Sequence, residues 1–139
     1  MRKHGTRDPF RLCKELGYLV IRTPLIDIRG FYQYIQRCHI LYIDSDLNES
    51  DVTFVCAHEL GHVFLHKGFN RFFMDKHTHF VTSRYELEAD KFAVDLLFSD
   101  YDLQELLEST IPAIAECLGI SFRLAEYRMS SVQPVLIDD

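Results

Sequence analysis

What the chain lacks narrows its chemistry first. No apolar run is long enough to cross a bilayer. The basic start, MRKHGTRDPF, is not followed by the apolar stretch of a secretion signal. The four cysteines, Cys13, Cys38, Cys56 and Cys117, are scattered, with no CxxC pair to suggest a redox motif or a zinc knuckle. Free thiols in a reducing cytoplasm are the expectation. A basic surplus is also missing. The net charge is −6 and the pI near 5.6, a poor match for direct nucleic-acid binding. There is no internal repeat and no low-complexity segment.

What remains is an ordinary globular composition, 47% hydrophobic and 26% charged over 139 residues, which fits one domain with a real core. Residues 1–8 and 130–139 read as loose tails. Pro9 to Leu16 reads as a helix stopped by Gly17. Tyr18 to Arg22 is a β-rich run. Phe31 to Gln36 and His39 to Asp44 read as an antiparallel hairpin, although Arg37-Cys38 between them is a poor turn dipeptide. Tyr32, Tyr34 and Tyr42 are expected to pack the sheet. The polar loop Asp44 to Ser50 leads into a helix that Asn48 or Ser50 can cap. Lys67 to Ser83 reads as a long irregular loop, with His77 and His79 facing solvent. A helix from about Arg84 to Phe98 follows, then three short ones at Tyr101–Ser109, Ile111–Leu118 and Ser121–Met129. The last two superficially resemble a helix-turn-helix, but Glu116 and Glu126 against Arg123 and Arg128 leave no basic recognition face.

The informative stretch is Asp51 to His66, DVTFVCAHELGHVFLH. It is apolar nearly all round, so the helix should be buried, with Cys56 in the core. His58 and His62 are four apart and share one face, where they can grip one metal ion. Glu59 lies about 100° further round, within reach of a metal-bound water. Two histidines with a glutamate between them are the zinc-peptidase signature. A catalytic zinc usually takes three protein ligands and leaves one position for water. His66 continues the series, but it lies about 12 Å along the axis from His58, too far for one ion. A helix-end role near the negative dipole end suits it better. On the helix Arg84 to Phe98, Ala89, Phe92, Ala93, Leu96 and Leu97 form the apolar face. Glu86 lies at the edge of that face, while Glu88 falls with Lys91 and Asp95 on the polar side. Glu86 is therefore the expected third ligand and Glu88 the lesser alternative. Asp90, one turn on, is placed to accept the N–H of a metal-bound histidine.

HELGH followed by ELEAD-KFAVDLL resembles the ImmA/IrrE family of small metallopeptidases, and the likeness runs from about Leu16 to Met129, taking in Leu65-His66 and the late AECLGIS segment. The ending Leu97 to Asp100 departs from the family's usual Leu-Met-Pro. The resemblance implies an α+β, zincin-like domain with a small antiparallel sheet packed on several helices. It implies a zinc-dependent endopeptidase with a glutamate as third ligand, acting on a helix-turn-helix repressor that silences a mobile element or stress genes. The rival reading is a non-catalytic anti-repressor that sequesters the same partner, with zinc as a staple. The complete HExxH favours the peptidase, because a structural site needs no general base and is usually closed by four protein ligands.

Overall fold

The computed structural model describes residues 7–66 and 79–134, with side chains in the second stretch from 83 onward. The chain divides into two compact units, Met1–Leu97 and Phe98–Asp139. The architecture is α+β. The described residues form a three-stranded sheet and five α-helices.

The first unit opens with α1, Pro9–Leu16. Its ends are set by single residues. The Asp8 carboxylate accepts from the Phe10 amide at 3.0 Å, Pro9 fills the first turn, and Gly17 closes the helix at φ 76°. Arg7 donates to the carbonyls of Asp95 and Leu96, so the chain is engaged before the helix begins, where a loose tail was expected. Three strands follow: β1 Leu19–Thr23, β2 Gly30–Ile35 and β3 Cys38–Asp44. The order is β1-β3-β2. The β2–β3 hairpin is antiparallel as expected, but β1 runs parallel to β3, so the sheet is mixed. Pro24 and the stretch to Arg29 carry the chain across to the far edge, which lets β1 and β3 run the same way. The hairpin turns at Gln36-Arg37, one residue earlier than the sequence suggested. Both residues adopt positive φ, 48° and 65°. That is the twist a two-residue hairpin needs, here without the usual Asn-Gly. Phe31 stacks on Tyr42 at 4.4 Å, and the Tyr32 hydroxyl meets His39 Nδ1 at 2.7 Å, so the tyrosines serve packing as expected.

Helix α2, Glu49–Leu65, carries the HELGH motif. Asn48 caps it by accepting from the Asp51 amide, and Glu49 and Asp51 lie in the first turn, where acidic side chains favour the helix dipole. Leu12, Cys13, Leu41, Ile43, Val52, Val55, Cys56, Leu60 and Val63 form the core around it. Cys56 belongs to that core as expected. Its sulfur lies 3.9 Å from that of Cys13, and this contact together with burial holds the thiol well above its ordinary pKa, hence unreactive. Helix α3, His79–Leu97, starts five residues before the expected boundary. The first part of the expected loop, with His77, lies outside the described residues.

The second unit begins at Phe98. Tyr101 to Ser109, expected as a helix, is a run of turns around one 3₁₀ turn, Gln104–Leu106. Helix α4, Ile111–Leu118, is capped by Thr110 and ended by Gly119 at φ 70°, and α5, Phe122–Met129, is capped by Ser121. Ile114, Ala115 and Ala125 form its core. The buried Arg128 donates to the Phe98 carbonyl, the Ser131 hydroxyl and, at 2.6 Å, the Asp100 carboxylate. Val132 is buried too, so order continues past the expected boundary at residue 130.

Candidate metal centre

Two small residues decide how closely α2 and α3 approach. A Cβ built on Gly61 would lie 3.1 Å from the Ala89 Cα, the Ala89 carbonyl oxygen and the Phe92 Cβ. The glycine of HELGH thus rests on the Ala of ELEAD, backbone against backbone. The helices cross in opposite senses there, with Asp90 beside His58 and Tyr85 against His66.

That approach brings one carboxylate to both histidines. Glu86 Oε2 is 2.9 Å from His58 Nε2, and Glu86 Oε1 is 3.0 Å from His62 Nε2. The two Nε2 atoms are 3.2 Å apart. A tetrahedral zinc with bonds near 2 Å holds neighbouring ligand atoms roughly 3.3 Å apart. The three donors therefore need to move by only tenths of an ångström to share one cation, and two imidazoles with a carboxylate are a set that zinc accepts. Glu59, expected next to this group, is there. Its carboxylate lies within 4.8 Å of the ligand atoms of His58 and His62, in a side chain 1% exposed. Asp90 Oδ1 accepts from His58 Nδ1 at 2.7 Å, as the spacing suggested.

Glu88 goes elsewhere. It meets His66 Nε2 at 3.1 Å, while Arg84 Nε donates to its other oxygen at 3.0 Å. His66 in turn places Nδ1 3.0 Å from His62 Nδ1. The sequence makes His66 a helix-end residue and Glu88 a water-facing one and the lesser candidate for third ligand; Glu88 stays 37% exposed and does not reach His58 or His62. His66 does cap α2, but it is 4% exposed and belongs to the network behind His62. The signal for it was in the sequence: His62 and His66 are four apart on the same face.

The charges answer to these contacts. Burial pushes the His58 imidazole down, but the hydrogen bonds to Asp90 and Glu86, with Glu59 nearby, outweigh it and raise it to about 10. Burial pushes Glu86 up, yet its two imidazole partners hold it far below the usual carboxylate range. Burial keeps His66 below its ordinary value despite Glu88. The His66 hydrogen bond, more than Arg84, holds Glu88 low.

A cavity of about 360 Å³ opens on this group. His58, Glu59, Glu86 and Asp90 line it on the helix side, and Asp27, Ile28, Arg29 and Gly30 on the sheet side. Gly30 stands at the start of β2, at the sheet's edge. A Cβ there would meet Val55 Cγ1 at 2.6 Å and the Tyr42 carbonyl at 2.7 Å, so only glycine lets this strand lie against α2 beside Glu59.

Comparison with known proteins identifies the family. The model of a peptidase family described as the IrrE N-terminal-like domain matches residues 13–130. The uncharacterized immunity region protein 2 of Bacillus phage phi105 is 38% identical over 131 residues, 92% of this chain and 83% of the relative. The metallopeptidase ImmA of Bacillus subtilis (strain 168) is 26% identical over 138 residues, 95% of this chain and 80% of the relative. With a peptidase model spanning both the HELGH and ELEAD segments, and a phage relative of this identity along nearly the whole length, the chain belongs to the ImmA/IrrE family of metallopeptidases.

Proposed function

We propose that this protein is a zinc-dependent endopeptidase of the gluzincin type, with His58, His62 and Glu86 as metal ligands and Glu59 as general base. The observation that carries the reading is the meeting of the two Nε2 atoms and the Glu86 carboxylate within 3.2 Å, beside the buried Glu59 and facing an open cavity. Three protein ligands leave a position for water, which is the arrangement of catalytic sites. Bound there, zinc would supply a Lewis acid that polarises the scissile carbonyl and acidifies an attacking water. Glu59, as general base, would take a proton from the attacking water and pass it to the leaving amine. Asp90 fixes the ring of His58 by accepting from Nδ1. β2 is an edge strand of the sheet among the described residues, and its start lines the cavity, where an extended substrate segment can add as a further strand.

The substrate is a helix-turn-helix repressor, and cleaving it releases a mobile element or stress genes. What supports this is the family, together with a phage relative named for an immunity region. The matched span 13–130 crosses both compact units, which supports reading residues 1–139 as one peptidase domain. The cytoplasm is the compartment where such a repressor works, and four free thiols accord with it. None of the described helices is long and apolar enough to cross a membrane.

The test is incubation of the purified chain with zinc and a candidate repressor from the same genetic neighbourhood, with a chelator control. Cleavage that needs zinc and falls at least about 100-fold in Glu59→Gln, while that variant still binds zinc, is the expected result. Full activity of Glu59→Gln would remove Glu59 from its role. A repressor left intact but displaced from DNA would favour sequestration without hydrolysis.

A further inference from the structure

We propose that His66, backed by Glu88 and Arg84, is a positioning residue that holds His62 in the tautomer a cation requires. This rests on the reading of His62 as a metal ligand and extends it to residues beyond the ligand set.

With His66 neutral, the contacts set the direction in which hydrogens are shared from Glu88 to His62. The Glu88 carboxylate can only accept, so His66 Nε2, 3.1 Å away, must carry the hydrogen. A neutral imidazole has one N–H, which leaves His66 Nδ1 as an acceptor. His62 Nδ1, 3.0 Å from it, must then donate. Held with a hydrogen on Nδ1, His62 turns Nε2 to where it meets Glu86 and His58, and a cation bound there would replace the hydrogen that Nε2 otherwise shares with the Glu86 carboxylate. The reverse polarity would put the lone pair of His66 Nε2 against the Glu88 carboxylate. Arg84 closes the series by donating from Nε to the remaining Glu88 oxygen. His66 and His62 are both more than nine-tenths buried, so water is a poor substitute for either partner. Tyr85 lies against the His66 ring at 4.3 Å and limits its rotation. The two histidines of the site are therefore oriented by different means. His58 is held directly by the Asp90 carboxylate, whereas His62 is held by a neutral imidazole with the carboxylate one step further back.

The experiment is a zinc competition titration against a chromophoric chelator, on the full chain, for wild type, His66→Phe, His66→Asn and Glu88→Ala. Urea unfolding in chelator reports the metal-free fold alongside. His66→Phe keeps a ring but offers no acceptor, and weakens zinc binding about 10- to 100-fold, the range for losing a ligand's orienting partner. His66→Asn returns an oxygen at the place of Nδ1 and recovers most of that loss. Glu88→Ala weakens zinc several-fold. A purely structural role would lower the urea midpoint and leave His66→Asn binding zinc no better than His66→Phe. If His66→Phe does not fold, Glu88→Ala decides, because that side chain is 37% exposed. Unchanged zinc affinity in His66→Phe and Glu88→Ala overturns the inference and leaves the metal site standing. A wild-type chain that binds no zinc overturns both.

Discussion

Replacing Gly61 with alanine strikes the contact on which the site depends, without touching a polar atom. In an isolated helix the change is favourable by up to about 1 kcal/mol, since glycine is a poor helix former. Here the new methyl would sit 3.1 Å from three atoms of α3, two of them backbone. Carbon atoms attract best at about 3.5–4.0 Å, so α3 must retreat by roughly 0.5 Å. Overpacking of this kind costs about 1–3 kcal/mol. Set against the helix gain, the variant should be up to about 2 kcal/mol less stable in urea unfolding with chelator present. The retreat also carries Glu86 and Asp90, the neighbours of Ala89, away from His58 and His62. Zinc affinity should therefore fall together with stability, although no ligand has changed. A Gly61→Ala protein at least as stable as wild type, with undiminished zinc affinity, would show that the interhelical contact does not set the site.

Three further outcomes follow from the same geometry. Asp90→Asn keeps an oxygen near His58 Nδ1 but removes the charge, and zinc affinity measured by competition should drop about 10-fold, whereas an unchanged value would make Asp90 a bystander. In chelator, the folded protein should lose stability as pH rises from about 7 toward 10. The His58 pKa is raised from 6.5 to about 10, so its contribution is complete below the unfolded value and vanishes through the folded one. The urea midpoint at several pH values checks this, and a slope that persists in His58→Gln would assign it to another group. Gly30→Ala forces a methyl into Val55 and the Tyr42 carbonyl, should cost about 1–3 kcal/mol, and should impair peptide cleavage more than zinc binding, because the strand beside the cavity shifts while the ligands stay.

The elements most legible in the sequence were those with local signals. Asp8, Pro9 and Gly17 bracket α1, Asn48 starts α2, and Thr110, Ser121 and Gly119 delimit the last two helices, each through a hydrogen bond or a φ that few residue types supply. The parallel pairing of β1 was not legible, because the order of strands depends on where a connection travels and Pro24 to Arg29 carries no mark of its destination. The hairpin turn was misplaced by one residue because Gln36-Arg37 adopts positive φ without the residues that normally announce it. At the site, periodicity put Glu86 and Asp90 toward the histidines, as found. It kept Glu88 on the solvent side, where the side chain is 37% exposed, but a helical wheel does not know that a neighbouring helix extends past the apolar stripe. His66, one turn beyond His62 on α2, reaches over that boundary and pairs with Glu88 at its edge.

The spacing between the two motifs then has a single physical meaning. A glutamate two dozen residues from a histidine pair says nothing by itself about distance in space. What fixes the distance is that the HELGH segment contains one residue without a side chain and the ELEAD segment one with only a methyl, and that these two positions coincide where the helices touch. From that point the 3.6-residue period does the rest on both helices: His58 and His62 lie on either side of Gly61 along α2, as Glu86 and Asp90 lie on either side of Ala89 along α3. A bulky residue at position 61 or 89 would leave all four polar side chains in place in the sequence and separate them in the fold. The glycine and the alanine are thus as much a part of the candidate metal centre as the atoms that face the cation.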